Sequence, residues 1–132
     1  MTVPREGRIR VKIYYEDTDS LGIVYYANYL KYLERGRTEL FGSGGTPIAD
    51  WNRLGFAVAV YRVTITYRAP ARLGDELDVV TRRVPGGSSY RVKLQQLVER
   101  QSQLITEATV ELVCLDERFE LREFPPEMLA GL

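Results

Sequence analysis

One segment of this sequence, Tyr26 to Phe41, spaces its apolar residues as an α-helix does, and it does so on two faces. Residues three or four positions apart share a helical face, so they form stripes along the helix. The stripes are Tyr26, Leu30, Leu33, Arg37 and Leu40, and Tyr25, Tyr29, Tyr32 and Gly36. Two such stripes indicate a helix that protein covers on more than one side, so the rest of the chain must wrap around it.

Most of the remaining sequence alternates apolar and polar residues, which is the pattern of a half-buried β-strand. Short turns separate these segments and favour antiparallel pairing. Thr46-Pro47 predicts an N-cap and a first helical residue, opening a short helix to about Leu54. The predicted strands are Arg8 to Glu16, Phe56 to Arg68, Glu76 to Val84, Ser88 to Glu99 and Leu104 to Leu115, with a short edge strand at Phe119 to Phe124. We therefore predict an α+β fold in one domain, residues 1–132, with an antiparallel sheet of about five to six strands around one long helix.

Two positions make sharper predictions about packing. Gly36 lies in the interior of the predicted helix, where glycine lowers helix stability, so we expect another element to approach the backbone closely there. In the predicted strand from Phe56 to Arg68, alternate residues should share one face of the sheet. The residues expected on that face are Tyr61, Val63, Ile65 and Tyr67.

Composition excludes several classes of function. The chain has no histidine, which excludes Ser-His-Asp and Cys-His triads and any metal site with a histidine ligand. The Asp17 turn is not an EF-hand either, because its fifth position is Leu21 and its twelfth is Asn28, so we predict no metal. With 18 Lys+Arg and 18 Asp+Glu, the chain lacks the basic surplus of a nucleic-acid binder.

Cysteine use and apolar runs indicate the compartment. Cys114 is the only cysteine, so an intrachain disulfide cannot form and a reducing cytoplasm is expected. Because Cys114 alternates with Leu112 on an apolar strand face, we predict a core residue rather than a nucleophile. Met1 to Arg10 has no apolar core of a secretory signal, and no run is long enough to span a bilayer.

Two carboxylates, Asp17 and Asp19, lie in the polar turn between the first strand and the long helix. A helix N-terminus offers unpaired N–H groups and the positive end of the helix dipole, which can stabilise charge on a carbonyl oxygen. A carboxylate beside it could attack the carbonyl or deprotonate a water, so the turn suits acyl transfer without histidine. Each aspartate could equally serve only as a cap or as a solvated turn residue.

A long run of mixed chemistry in this region is specific enough to indicate a family. It reads Tyr15-Glu16-Asp17-Thr18-Asp19-x-x-Gly22-x-Val24-Tyr25-x-x-x-Tyr29, followed by Tyr32-x-Glu34-Arg35-x-Arg37. The run resembles the 4-hydroxybenzoyl-CoA thioesterase family, and it is most similar to the branch encoded with the Tol–Pal envelope system. Two later segments, Tyr67 to Ala71 and Ala108 to Val110, fit the same pattern, so the resemblance extends over nearly the whole chain.

The resemblance implies a hot-dog fold, in which an antiparallel sheet wraps the long helix. It also implies a homodimer or homotetramer with active sites at the subunit interface. The family's catalytic carboxylate falls on Asp19, and its oxyanion donor, a backbone N–H at the helix start, falls on Tyr26. The hydroxybenzoyl enzyme has a basic cluster for the CoA nucleotide where this chain has a Gly-Ser turn. The expected substrate-binding residues are Tyr15, Val24, Tyr25, Arg68, Ser88 and Ser89.

The activity that this resemblance implies is hydrolysis of an acyl-CoA thioester to a free acid and CoA, without a cofactor. One alternative is a thioesterase that acts on acyl carrier protein. An alternative from another class is a non-catalytic acyl-CoA-binding module, which an Asp19 far from any pocket would favour. A hot-dog dehydratase is disfavoured, because those enzymes use a catalytic histidine.

Overall fold

The computed structural model describes residues 5–132; residues 1–4, part of the segment considered for a secretory signal, lie outside the described residues. The strands within this range are β1 (Glu6–Lys12), β2 (Ala57–Tyr67), β3 (Glu76–Arg83), β4 (Arg91–Arg100), β5 (Gln103–Leu115) and β6 (Leu121–Arg122). The helices are α1 (Asn28–Ser43), α2 (Ile48–Arg53) and α3 (Pro126–Ala130). This succession confirms the predicted order of strand, long helix, short helix and further strands, to which α3 is an addition.

The six strands form one antiparallel sheet in the order β1-β3-β4-β5-β2, and β6 pairs with β5. The registers place buried apolar residues opposite one another on the face that carries α1, as in the pairs Val11–Leu77, Val79–Val98 and Leu94–Val110. The sheet therefore wraps one side of the long helix, and the predicted α+β architecture is confirmed. Strands β1 and β2 form its two edges.

Helix α1 is buried by two apolar clusters, one at each end. The cluster near its start includes Tyr29, Tyr32, Leu33, Ile13, Val24, Ala71, Leu77 and Val98. The cluster near its end includes Leu40, Phe41, Val92, Leu112, Cys114, Phe124 and Met128. Burial on two sides of the helix is confirmed, although Leu30 is exposed and Tyr25 and Tyr26 precede the helix. Cys114 is fully buried, as expected of a core residue.

Gly36 allows the middle of α1 to approach the sheet closely. A Cβ atom at this position would lie 2.8 Å from Thr81 Oγ1, 3.0 Å from Val79 Cγ1 and 3.1 Å from Gln96 Nε2. Gln96 donates hydrogen bonds to the carbonyl of Leu33 at 2.9 Å and to Thr81 Oγ1 at 2.8 Å. The prediction of close packing at Gly36 is therefore confirmed.

Several predicted segments have other bounds in the structure: the strand predicted from Ser88 begins at Arg91, and the predicted edge strand is confined to Leu121–Arg122. The first strand ends at Lys12 rather than Glu16, because its partner strand β3 begins at Glu76, opposite Lys12, and a 3-10 turn follows at Tyr15–Asp17. The second helix is capped by Pro47, with an extended ψ of 153°, rather than by Thr46. Proline supplies no donor there, so the fixed φ of its ring sets the start of α2.

The predicted shared face of β2 is also interrupted. The pairing with β5 shifts between Val60 and Arg62, and this bulge places Tyr61 out of phase with Val63. The Tyr61 ring then lies 4.0 Å from the Arg91 guanidinium, which projects from the sheet face opposite the core. A bulge inserts one residue and reverses the alternation, so Tyr61 leaves the face that Val63 occupies.

Candidate active site

A tight loop, residues 17–25, connects the 3-10 turn to helix α1. The N–H of Asp19 bonds to the carbonyl of Ile23 at 2.9 Å, and the N–H of Tyr25 bonds to the carbonyl of Asp17 at 2.9 Å. Gly22 closes the loop with a φ of 78°, a left-handed conformation that glycine adopts without strain. Residues 17–25 therefore form a closed turn that leads directly to the start of helix α1.

The core anchors this loop through Val24. Its side chain is buried, and its N–H bonds to the carbonyl of Ala71 at 2.8 Å, while Ile23 bridges Arg72. The loop is therefore fixed against the segment that leads into β3. Because Val24 lies in the core, substrate could reach only the surface beside it.

The two aspartates have different surroundings. One carboxylate oxygen of Asp17 accepts the Tyr14 N–H at 2.8 Å, and its carbonyl also accepts the Asn28 side-chain amide at 2.9 Å. Asp19 uses Oδ1 to accept the Leu21 N–H at 2.8 Å, and its Oδ2 has no hydrogen-bond partner among residues 5–132. Both aspartates are half-buried and keep one carboxylate oxygen without a hydrogen bond to residues 5–132, but Asp17 also holds together the backbone on either side of the loop.

Free backbone donors lie just before helix α1. Ala27 is the N-cap, and its side chain provides no capping hydrogen bond. The N–H groups of Tyr26 and Ala27 bond to no residue in the described part of the chain, whereas the N–H of Asn28 bonds to the carbonyl of Tyr25 at 2.9 Å. These donors lie at the positive end of a 16-residue helix, where a developing negative charge is stabilised.

Tyrosine rings surround the start of the helix. The Tyr25 and Tyr26 centroids are 4.9 Å apart, and Tyr29 lies 5.5 Å from Tyr67. Burial raises the pKa of Tyr29 and Tyr67, so both hydroxyls remain protonated at neutral pH. Burial and the nearby Asp17 carboxylate also raise the pKa of Tyr32, whose buried hydroxyl has no hydrogen-bond partner among the described residues.

Two other predicted substrate-binding residues lie at the same end of the sheet. Tyr15 is 82% exposed, and its carbonyl accepts hydrogen bonds from Thr18. Arg68 follows β2, where its guanidinium pairs with Glu107 at 2.7 Å. The structure thus brings Asp19, Val24, Tyr25, Tyr26 and Tyr15 together in one loop region, with Arg68 on the neighbouring strand end.

Ser88 and Ser89 lie at the opposite end. Their turn precedes the start of β4, whereas the loop of Asp19 contacts the segment before β3, beside the end of β4. The 10 residues of β4 span about 30 Å at ~3.3 Å per residue, so one chain cannot bring the two regions together. A cavity of about 390 Å³ lies beside the turn, lined by Arg83, Val84, Pro85, Gly86, Gly87, Ser88, Ser89 and Leu129.

Sequence reasoning missed the part of Tyr67 in this site. Its hydroxyl donates a hydrogen bond to the carbonyl of Tyr26 at 3.0 Å. In the sequence, Tyr67 was noted only as part of the Tyr67 to Ala71 segment that fits the family pattern, and that segment indicated no role for it. Within residues 5–132, no group of His, Cys, Asp or Glu is arranged to hold a metal ion, and no helix is long and apolar enough to cross a membrane.

Comparisons with known proteins agree with this architecture. Residues 14–132 match the thioesterase-like superfamily. The acyl-CoA thioester hydrolase YbgC of Escherichia coli O6:H1 is 35% identical over 121 residues, which cover 91% of this chain and 90% of that protein. The structure of Slr0204, a 1,4-dihydroxy-2-naphthoyl-CoA thioesterase from Synechocystis, superposes with a TM-score of 0.88 at 21% identity, over 96% of this chain and 95% of that one. A variant of 4-hydroxybenzoyl CoA thioesterase bound to 4-hydroxybenzoyl CoA superposes with a TM-score of 0.87 at 20% identity, over 96% and 98%.

The antiparallel sheet wrapped on one long helix is the hot-dog fold. The chain belongs to the thioesterase-like superfamily, and it is an enzyme that hydrolyses thioesters. The family and the fold that the resemblance implied are therefore confirmed.

Proposed function

We propose that this enzyme hydrolyses an acyl-CoA, with Asp19 as the reacting carboxylate and the Tyr26 N–H as an oxyanion donor. The observation that carries the proposal is the loop of residues 17–25. It holds a carboxylate with one free oxygen and leads, within a few residues, to free N–H groups at the start of α1. The activity of the Escherichia coli relative supports an acyl-CoA as the substrate.

The chemistry needs only these groups and water. The Asp19 carboxylate either removes a proton from water, whose oxygen attacks the thioester carbon, or attacks that carbon itself. The carbonyl oxygen gains negative charge, which the Tyr26 N–H stabilises. When the carbonyl re-forms, the C–S bond breaks. In the first route the sulfur leaves as CoA thiol with the proton that Asp19 took from water, and the free acid is released; in the second route the thiolate takes a proton from solvent and the acyl group stays on Asp19. In the second route, water then hydrolyses the acyl-carboxylate anhydride and restores Asp19.

The proposed enzyme is a homodimer or homotetramer. Strand β2 is an 11-residue sheet edge with exposed apolar side chains, and such an edge favours pairing with another strand. Antiparallel pairing of two β2 edges about a two-fold axis would place the Tyr67 end of one beside the Ala57 end of the other. The Ser88–Ser89 turn of the second copy would then lie at the same end as Asp19 of the first, where it could bind the CoA nucleotide.

An acyl carrier protein is the alternative acyl donor, and its prosthetic arm would present the same thioester to Asp19. Both versions suit a cytoplasmic enzyme with a single, buried cysteine. Steady-state rates with matched acyl-CoA and acyl carrier protein substrates distinguish them, because the preferred donor should show the higher kcat/KM.

The test of the mechanism is Asp19→Asn, compared with Asp17→Asn. We expect Asp19→Asn to remain folded and to lower kcat by at least ~100-fold, the usual scale for losing a positioned acid–base group. Asp17→Asn should cost much less, because the amide oxygen can still accept the Tyr14 N–H. An Asp19→Asn variant with wild-type kcat on a good acyl-CoA would contradict the proposed mechanism.

A further inference from the structure

Tyr67 connects the edge of the sheet with the turn that precedes α1. It is the last residue of β2, and its hydroxyl donates to the carbonyl oxygen of Tyr26 at 3.0 Å. Its ring lies edge-on to the Tyr26 ring, with centroids 6.2 Å apart, and is tilted against Tyr29. No other group among residues 5–132 donates to this carbonyl, because Leu30 N–H bonds instead to the carbonyl of Ala27. The Tyr67 hydroxyl is therefore what holds this peptide plane.

The orientation of that plane sets the direction of a free N–H group. In a trans peptide the carbonyl and the N–H point in opposite directions, so fixing the Tyr26 carbonyl fixes the N–H of Ala27. The preceding peptide is held in the same way, since the carbonyl of Tyr25 accepts the Asn28 N–H at 2.9 Å. Consecutive free donors, on Tyr26 and Ala27, thus belong to peptides whose carbonyls are already bonded.

These bonds also strengthen the donors. A peptide whose carbonyl accepts a hydrogen bond is polarised, and its N–H becomes a better donor. Burial and Tyr26 raise the pKa of Tyr67, so the hydroxyl stays protonated and keeps donating through the neutral and mildly alkaline range. The donor strength of the Ala27 N–H therefore depends on the Tyr67 side chain.

We propose that Tyr67 is a positioning residue for thioester hydrolysis, which holds the Tyr26–Ala27 peptide so that the Ala27 N–H acts beside the Tyr26 N–H as a second donor to the developing oxyanion. This inference rests on the proposed function and extends it. Two donors converging on one oxygen stabilise more charge than one, and donors that are already oriented need no reorganisation during the reaction.

The test compares Tyr67→Phe with Tyr61→Phe. The first change removes only the hydroxyl and keeps the ring that packs on Tyr26 and Tyr29. The second removes a hydroxyl from the same strand that makes no hydrogen bond to a described residue. We expect Tyr67→Phe to lower kcat about three- to tenfold, the effect of one lost hydrogen bond, with KM within about twofold of wild type. Tyr61→Phe should leave kcat unchanged.

Two further readouts separate positioning from other roles. The pH profile of kcat for Tyr67→Phe should keep the wild-type shape, because a positioning group transfers no proton; a lost alkaline limb would instead identify an acid and overturn the proposal. Hydrogen–deuterium exchange of residues 25–30 should accelerate in Tyr67→Phe and not in Tyr61→Phe. Unchanged exchange, an unchanged kcat, or a change confined to KM would each overturn it.

The proposed function and the proposed role of Tyr67 can be contradicted by different results. If Asp19→Asn loses activity while Tyr67→Phe keeps the wild-type kcat, the carboxylate mechanism stands and the positioning role is wrong. If Asp19→Asn keeps its activity while Tyr67→Phe loses it, the carboxylate assignment is wrong and the role of Tyr67 in holding the oxyanion turn is supported. An enzyme that hydrolyses neither an acyl-CoA nor an acyl carrier protein thioester would overturn both.

Discussion

Replacing Gly36 by alanine tests how closely α1 approaches the sheet. The added Cβ would lie 2.8 Å from Thr81 Oγ1 and 3.1 Å from Gln96 Nε2, both of which are fully buried. Gln96 cannot move without weakening its hydrogen bonds to Thr81 and to the carbonyl of Leu33. It also accepts a hydrogen bond from Arg37 at 3.0 Å, so the whole buried polar group is affected.

The expected change in the free energy of unfolding of Gly36→Ala is the sum of opposing effects. Alanine should gain up to about 1 kcal/mol over glycine from helix propensity. Against this, overpacking a dense core costs about 2 kcal/mol, and leaving a buried polar group unpaired costs about 2 kcal/mol more. The net result for Gly36→Ala is destabilisation by about 3 kcal/mol, which is a large share of the ~5–15 kcal/mol that stabilises an ordinary domain.

The assay is urea unfolding followed by circular dichroism, at one fixed protein concentration because assembly contributes to stability. The matched control is Gly42→Ala in the same helix, where a Cβ would meet no atom within 4 Å. We expect Gly42→Ala to gain a few tenths of a kcal/mol, up to about 1 kcal/mol. If Gly36→Ala proved as stable as Gly42→Ala, the close approach of helix and sheet would be refuted.

Three further predictions concern charge, the thiol and CoA. Burial alone would raise the pKa of Asp75, but a backbone N–H and the Arg100 guanidinium 2.7 Å away lower it below its usual value. The carboxylate therefore stabilises the fold at neutral pH, and Asp75→Asn should cost about 1 kcal/mol at pH 7, a difference that urea unfolding should show shrinking as the pH falls below about 4. Burial raises the pKa of Cys114, so an aromatic disulfide reagent should label this single thiol in urea but not in the native protein. Ser88→Ala with Ser89→Ala should raise KM for an acyl-CoA and leave kcat unchanged, whereas a pantetheine thioester should be unaffected by the change.

Periodicity was enough to predict the elements, because it is a local property of each segment. The long helix and all the strands were found, and Gly36 was correctly assigned to a close contact. The predictions were wrong where contacts with residues distant in sequence determine the local structure. Strand β1 ends early because its partner β3 begins only at Glu76, and the phase of Tyr61 depends on a bulge against β5, which no pattern within β2 reveals.

The sequence indicated the residues of the candidate site in the same uneven way. Asp19 in the loop and Tyr26 just after it lie within one continuous motif, so that motif indicated both. The hydrogen bond from Tyr67 joins positions 41 residues apart and depends on the sheet edge meeting the helix start. The separation of Ser88 from Asp19 likewise follows from strand direction rather than from any residue type.

The two aspartates of the turn, Asp17 and Asp19, make different hydrogen bonds. Asp17 and Asp19 have the same side chain and lie two positions apart, yet Asp17 bonds to the Tyr14 N–H and, through its carbonyl, to the Tyr25 N–H and the Asn28 amide. Asp19 bonds only to its own turn and keeps Oδ2 free. Asp17 also keeps one carboxylate oxygen without a hydrogen bond to residues 5–132, so the two residues differ in what they hold rather than in a free oxygen. Replacing the Asp17 side chain would release the Tyr14 N–H, which precedes the loop, whereas replacing that of Asp19 would release only the Leu21 N–H within it. A chain without histidine can therefore place a structural carboxylate and the proposed reacting carboxylate in one turn.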